Sequence, residues 1–249
     1  PDVIASFSSR GPADTLNVLK PDFAAPGVSV LAVDAGTTIT GFEGLVGLKS
    51  GTSMASPHHT GAVALLRQAR PSWSVPEVKS AFALTAYDQV LATNETSPAT
   101  PFDTGSGRIR VDRAINAGLV MHETGANYRA ANPVSGDAAQ LNQPNLVDGR
   151  CGRTCSFIRT FRNPHAVAST WNLQLQGVTG TVPASITVPA GASVSVTITL
   201  SPPVATGAWS FGSLTLTAVG SSSTPLRLPI AVVGSSARPR NDFDGDGKS

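Results

Sequence analysis

The spacing of apolar residues changes along the chain, and this change restricts the fold more than any other feature of the sequence. Between Thr52 and Arg70, small residues surround Val63, Leu65 and Leu66, which predicts a helix buried on most of its sides. Beyond Cys151, an apolar residue stands at every second position in short runs bounded by Gly, Pro and Ser, which cover residues 171–175, 194–200, 214–218 and 226–230. In residues 194–200 and 214–218 the intervening residues are Ser or Thr. Strict alternation predicts half-buried strands. We therefore predict an α/β region followed by an all-β antiparallel sandwich of six or seven strands.

Shorter signals predict further elements in the first half of the chain. Val3–Phe7 and Val28–Val33 are apolar runs beside turn residues, and we predict both as buried strands of an α/β sheet. Ser74 and Glu77 have the spacing of a capping box, which predicts a second helix with one apolar face. That face contains Val78, Ala81, Phe82 and Thr85. Residues 107–111 are predicted as a strand, with Asp112 capping a short helix that ends at Gly118.

Ser53 is a candidate nucleophile, since it follows Gly51-Thr52 at the start of the first predicted helix. The first N–H groups of a helix lack internal partners, and this end carries partial positive charge. An oxyanion formed beside Ser53 would therefore find a donor in the N–H of the same residue. Pro57 removes the helical donor to the Ser53 carbonyl, and we hypothesise that this loosens the first turn and aims the serine.

Four ordered segments carry a family resemblance. Residues 51–58, GTSMASPH, resemble the active-serine motif of the subtilisin-like serine proteases. Residues 6–12 and 20–28 resemble the FSSRGP and KPD-x-x-APGV segments that precede this serine in the family, and residues 101–109 resemble its PFD-x-GxG segment. The sandwich and Thr160–Asn163 resemble the fibronectin-III-like domain that follows the catalytic domain in many subtilases.

The resemblance implies a serine-type endopeptidase that cleaves a polypeptide substrate, with Ser53 as nucleophile. It also implies that the catalytic aspartate and histidine, and an oxyanion-hole asparagine, precede Pro1, so that the upstream part of the same domain is a required partner. The expected organisation is a C-terminal portion of the catalytic domain at residues 1–122 and a connector at 123–150. A fibronectin-III-like sandwich at 151–235 and an acidic tail at 236–249 follow. We expect this fragment alone to be inactive.

The four histidines offer no obvious base for Ser53. On an ideal helix, His58 lies about 7.5 Å along and about 140° around from Ser53. We therefore interpret His58 and His59 as structural, and His122 and His165 as surface residues. Asp22, beside Pro21, is interpreted as a turn residue.

Composition narrows the class of protein and its partners. The net charge is +2 with no basic cluster, which argues against nucleic acid, and no apolar run is long enough to span a membrane. Only 14% of residues are charged, and Gly and Pro are abundant. This profile favours a compact, secreted, extracellular protein. Cys151 and Cys155 favour a small-loop disulfide, with a metal site as the weaker alternative. The chain begins at Pro1, and we expect it to be part of a longer protein.

The acidic tail contains part of a calcium-binding pattern. Asp242, Asp244 and Asp246 alternate before glycine, as in the first half of a calcium loop, although a solvated acidic end is the simpler interpretation. Catalysis itself requires no cofactor. Two alternative functions stay open: a noncatalytic subtilase-like binding or scaffolding protein, and a sandwich and tail that bind protein, carbohydrate or a surface through calcium.

Overall fold

The computed structural model describes residues 2–13, 16–33, 46–132, 137–203 and 208–234. The first half contains a β-hairpin and five helices: β1 (Val30–Val33), β2 (Val46–Lys49), α1 (Thr52–Ala69), α2 (Val75–Leu84), α3 (Pro101–Thr104), α4 (Val111–Ala114) and α5 (Gly125–Ala130). After a 3-10 turn at Ala138–Gln140, the elements of the described second half are all strands: β3 (Leu146–Gly152), β4 (Cys155–Arg162), β5 (Ser169–Gln176), β6 (Gly180–Thr181), β7 (Ser185–Val188), β8 (Ser193–Leu200), β9 (Trp209–Ala218) and β10 (Leu226–Gly234). The α/β region followed by a β region is confirmed at this level.

Helix α2 forms as its local sequence predicts. Glu77 Oε2 accepts hydrogen bonds from Ser74 N (2.8 Å) and Ser74 Oγ (3.0 Å), so the capping box is present. The predicted apolar face is buried at all four positions: Val78, Ala81, Phe82 and Thr85. A cap and a matched apolar face together determine where this helix starts and which side it buries.

Several predictions for the first half were wrong. In α1 only Ala62 and Leu66 are buried, because the helix is covered on a single side by α2, α4 and the loop of Phe23. Strand β1 is largely exposed and pairs antiparallel with β2, so the predicted two-sided burial is absent. Asp112 lies inside α4, where it pairs with Arg110 instead of capping the helix.

The predicted parallel sheet is represented only by isolated contacts in the described part of residues 1–122. Val3 bridges Leu91, and Ala24 bridges Arg108, both in parallel orientation. Residues 3–7 and 107–111 therefore do not form the continuous strands that were predicted. A strand needs a neighbour along its whole length, and these segments meet one another at single residues.

The second half is a sandwich of a five-stranded and a three-stranded sheet. The strand orders are β3-β10-β9-β5-β7 and β4-β8-β6. Their inner faces share one core, which includes Phe157, Phe161, Trp171, Ile198, Leu214, Leu216, Leu228 and Ile230. The predicted alternation of apolar and polar residues is present. The described part of the sandwich has eight strands, against the six or seven that were predicted, and β3 runs parallel to β10, which no hairpin signal in the sequence could predict.

The disulfide between Cys151 and Cys155 is present, as predicted. It closes the turn between β3 and β4, which belong to different sheets. The bond therefore fastens one corner of the sandwich across its two layers.

The two halves of the described structure share packed surface. Leu84 and Met121, from the first half, lie in the same core as the sandwich residues. The ring of Phe102 contacts Trp209 and Phe211 edge-on, with centroids 4.8 and 5.4 Å away. Helices α2 and α3 therefore pack against the sandwich, and α1 packs on α2 and α4.

Candidate active-site serine

The four segments that resemble subtilase motifs, at residues 6–12, 20–28, 51–58 and 101–109, contact one another in space. Gly11 N donates to the carbonyl of Phe102 (3.0 Å), and Arg10 Nη1 lies 3.4 Å from Asp103 Oδ1. These contacts join the first segment to the fourth. Motifs that are separated by about a hundred residues therefore form one scaffold.

The second segment is fastened to the fourth through its backbone. Ser106 N donates to the Asp22 carbonyl (3.0 Å), and Ala24 N donates to the Gly107 carbonyl (2.9 Å). Gly105 has φ +63°, and a Cβ at this position would lie 2.3 Å from the Asp22 carbonyl oxygen. Only glycine permits both this backbone conformation and this close approach.

The same segment supports the turn before Ser53. Gly51 N donates to the Gly27 carbonyl (2.8 Å), and Ser29 N donates to Ser50 Oγ (2.8 Å). A Cβ on Gly27 would lie 2.8 Å from the Gly51 carbonyl oxygen and 3.3 Å from the Ala55 Cβ. Sequence reasoning did not single out Gly27, although the Pro-Gly dipeptide was a signal for it.

Ser53 lies in the first turn of α1 and is exposed to solvent. In the part of the chain that the structure describes, its hydroxyl and its backbone N–H have no hydrogen-bond partner. A cavity of about 250 Å³, lined in part by Gly51, Thr52 and Ala55, lies next to this turn. The serine therefore stands at the positive end of a helix, beside open space, with an unused donor of its own.

Helix α1 continues through Pro57 without interruption. Proline has no N–H, so the Ser53 carbonyl lacks the donor that a regular helix would supply. The hypothesis that Pro57 aims the serine stays a prediction.

The two histidines of α1 form contacts that do not involve Ser53. His58 Nδ1 lies 2.8 Å from the Met54 carbonyl oxygen within α1. The ring of His59 stacks on Phe23 at 4.8 Å and meets Phe82 edge-on at 5.2 Å. Burial lowers the pKa of His59, although the nearby Asp22 charge acts in the opposite direction. Both residues have structural surroundings, as their helical spacing from Ser53 predicted.

The other two histidines join parts of the fold. His122 Nδ1 lies 3.0 Å from Ser74 Oγ, at the cap of α2. His165 Nε2 lies 3.0 Å from the Ala117 carbonyl oxygen, across the junction of the two halves. His165 is half-buried and more constrained than the predicted surface histidine.

Asp22 has a role that local turn chemistry did not predict. Its carboxylate pairs with Lys20 (2.6 Å) and Lys79 (2.7 Å). Burial alone would raise the pKa of Asp22, but the hydrogen bonds and charges of the two lysines outweigh it and lower that pKa. Asp22 therefore ties the second segment to helix α2.

The candidate calcium ligands Asp242, Asp244 and Asp246 lie outside the described residues. Within the described ranges, no group of three or more His, Cys, Asp or Glu residues is arranged to hold a metal ion. No helix in those ranges is long and apolar enough to cross a membrane.

Comparison with known proteins agrees with the location of these segments. Residues 1–117 match the subtilase family. The chain is similar to the Arabidopsis thaliana subtilisin-like protease SBT1.7, with 41% identity over 51% of this chain and 18% of that protein. It is also 30% identical to subtilisin-like protease SBT2.6 over 93% of this chain and 34% of that protein. A CO(2)-response secreted protease is 39% identical over 50% of this chain and 18% of that protein; all three relatives are from Arabidopsis thaliana.

The chain thus spans 18% to 34% of the length of these relatives. Among solved structures, a FixG-related protein from Vibrio parahaemolyticus aligns with a TM-score of 0.29 and 15% identity over 32% of this chain and 78% of that chain. Residues 1–117, which contain Ser53 and all four contacting segments, are thus the part of the chain that matches the subtilase family.

Proposed function

We propose that Ser53 is the nucleophile of a serine-type endopeptidase and that its backbone N–H is one donor of the oxyanion hole. The observation that carries this proposal is an exposed, unbonded serine in the first turn of a fixed helix, in a chain whose first 117 residues match the subtilase family. A serine attacks a peptide carbonyl only if a base removes its proton. No histidine of the described structure hydrogen-bonds to Ser53, so the base must come from elsewhere.

We propose that the upstream part of the same domain supplies the histidine, its aspartate and the oxyanion-hole asparagine. Apolar side chains of β1, β2 and α1 support this partner because they are exposed here: Val33 (85%), Leu48 (67%), Leu31 (66%) and Leu65 (55%). Exposed apolar area of this kind is normally covered in a finished domain. The chain also spans at most about a third of the matched relatives, which leaves ample length for such a segment in the parent protein.

The remaining proposals follow from this assignment. The substrate is a polypeptide, the parent protein is secreted, and residues 151–235 are a fibronectin-III-like domain behind the catalytic portion at 1–122. The connector at 123–150 and an acidic tail at 236–249, which resembles the start of a calcium-binding repeat, complete this organisation.

Labelling with a fluorophosphonate probe tests the nucleophile. The full-length parent should be labelled, and Ser53→Ala should abolish labelling. Ser56→Ala, an exposed serine one turn further along α1, is the matched control and should be labelled like the parent. The 249-residue chain alone should be labelled at least about 10³ times more slowly, because loss of triad partners costs more than that.

Two outcomes would refute the proposal. Persistent labelling of Ser53→Ala would assign the nucleophile to another residue. Parent-like labelling of the 249-residue chain would show that no upstream base is needed. If the full-length protein is not labelled and does not cleave peptides, the noncatalytic alternative takes its place.

A further inference from the structure

A polar groove lies at the junction of the two halves, away from Ser53. It has a volume of about 610 Å³, within the size range of ligand pockets. One wall comes from the first half through Arg70 and Asn116, and the other comes from the sandwich through Thr170, Ser221 and Ser223. Neither half forms this groove by itself.

The floor of the groove is closely packed and hydrogen-bonded. Gly118 packs against the indole of Trp171 so closely that a Cβ on Gly118 would lie 2.4 Å from Trp171 Cζ2. The fully buried Asn163 donates to the carbonyls of Val167 (2.8 Å) and Val188 (3.1 Å). Asn163 Oδ1 also accepts from His165 N (3.0 Å), which fixes the loop that carries His165.

Two nitrogen-bearing side chains are oriented at the first wall. Arg70 Nε donates to the Ile115 carbonyl (2.9 Å), and His165 Nε2 donates to the Ala117 carbonyl (3.0 Å). These carbonyls are two residues apart, at most about 7 Å along the chain. The guanidinium of Arg70 lies over the ring of Trp73, with Cζ 5.7 Å from the ring centroid. Within the described structure, its two Nη groups and Nδ1 of His165 have no hydrogen-bond partner.

The groove therefore presents a guanidinium, an imidazole and several hydroxyl groups, and its described lining contains no Asp or Glu. This set suits a carboxylate, because guanidinium donors match carboxylate geometry and no like charge opposes it. Trp171 is 1% exposed, so it offers no ring face on which a sugar could stack. The exposed side chains of Val167 (74%) and Val219 (52%) instead provide apolar contacts at the rim.

We propose that this groove is an exosite for a polypeptide segment that carries an acidic side chain. Arg70 follows α1 and Ser53 opens it, so the two residues are about 25 Å apart along the helix. An extended peptide needs at least about eight residues to cover that distance. The acidic residue would therefore lie eight or more residues from the bond being cleaved. The identification of the peptide as a substrate rests on the proposed function; the binding itself does not.

Binding is measured on the 249-residue chain by two-dimensional amide NMR, which does not depend on proteolysis. The probe is a 14-residue Gly/Ser-rich peptide with one central Glu, compared with the same peptide carrying Gln. We expect amide shifts at Gly118, Val219 and Gly220, and about fivefold weaker binding of the Gln peptide, as for an exposed ion pair. Arg70→Gln should weaken binding of the Glu peptide by a similar factor.

Charge changes on the opposite wall test the site at Ser221, which is exposed and whose hydroxyl hydrogen-bonds with Ser223 in the same turn. Ser221→Glu should weaken binding of the Glu peptide, and Ser221→Lys should strengthen it. Arg129→Gln, an equal loss of charge on the exposed helix α5, should have no effect. The effects at Ser221 should diminish at 1 M salt.

The exosite is refuted if the Glu and Gln peptides bind equally, if shifts fall outside the groove, or if the Ser221 variants do not differ. A galacturonate oligomer serves as the alternative ligand. Binding of this oligomer without binding of the peptide would identify a glycan site and overturn the proposal. Failure of fluorophosphonate labelling would refute the nucleophile and leave the groove result standing.

Discussion

Replacing Arg162 by alanine should reveal how strongly the sandwich stabilises helix α2. Arg162 Nε donates to Glu77 Oε1 (2.5 Å), and the side chains are 30% and 7% exposed respectively. The backbone of Arg162 also pairs with Val120, so the contact lies directly on the junction of the two halves. The mutation leaves a buried carboxylate without its cation.

The expected loss follows from this geometry. Removing one partner of a fully buried ion pair costs about 3–5 kcal/mol. Arg162 is nearly one third exposed, and Ser74 still donates two hydrogen bonds to Glu77. We therefore expect the free energy of unfolding to fall by about 2 kcal/mol, below the fully buried range.

The pH dependence has a definite sign. Burial raises the pKa of Glu77, but Arg162 and Ser74 outweigh burial and hold it below the ordinary value of 4.5. A carboxyl group with a lowered folded-state pKa stabilises the fold above its unfolded pKa and loses that contribution as pH falls through the folded value. The loss of stability below pH 4.5 should therefore be smaller in Arg162→Ala than in the parent chain.

Urea unfolding followed by tryptophan fluorescence measures these quantities. A double-mutant cycle with Glu77→Ala should give a coupling energy of about 1–2 kcal/mol. Arg110→Ala removes the exposed pair with Asp112 and should destabilise the chain far less. A loss in Arg162→Ala no larger than in this control, or a coupling energy near zero, would refute the reasoning.

Three further predictions concern other contacts. Gly118→Ala should lower the free energy of unfolding by about 1–3 kcal/mol, because the new Cβ would overlap Trp171. The parent chain should lose stability as pH falls below 6.5. The folded-state pKa of His59 is lowered, so the unfolded state binds more protons in this range. Replacing His59 by Phe should therefore reduce the loss of stability. Replacing both Cys151 and Cys155 by alanine should cost about 2 kcal/mol, since the bond closes a very short loop.

Matched substitutions accompany the first two of these predictions, and all are measured by urea unfolding. Gly61→Ala has open space around its Cβ and should stabilise α1 by up to about 1 kcal/mol. His58→Phe should show the same loss of stability below pH 6.5 as the parent chain. Equal changes in the free energy of unfolding for Gly118→Ala and Gly61→Ala would contradict the first prediction. An unchanged loss of stability below pH 6.5 in His59→Phe would contradict the second. An unchanged urea midpoint in the cysteine double variant would contradict the third.

Local signals in the sequence were sufficient for several elements. The Ser74–Glu77 box and the apolar face of α2 lie within a few residues of one another, so spacing alone predicts them. The alternation in β5, β8, β9 and β10 likewise follows from the two-residue period of a strand. The disulfide joins cysteines four residues apart, and its formation required little from the rest of the fold.

The exposure of α1 and β1 could not be predicted in the same way. Small and apolar residues show that a segment is able to be buried, but its covering must come from other parts of a protein. Among the described residues, little covers the outer side of α1 or strand β1, and the prediction of burial was therefore wrong.

The sequence by itself determined the helix that presents Ser53, the strand-rich second half and the resemblance of residues 1–117 to the subtilases, because these depend on short-range spacing and on motifs. Only the tertiary structure decided that β3 pairs with β10, that Arg162 neutralises Glu77, and that Arg70 and His165 line one groove. These contacts join residues far apart in the chain, and their free energy depends on geometry that no local pattern encodes.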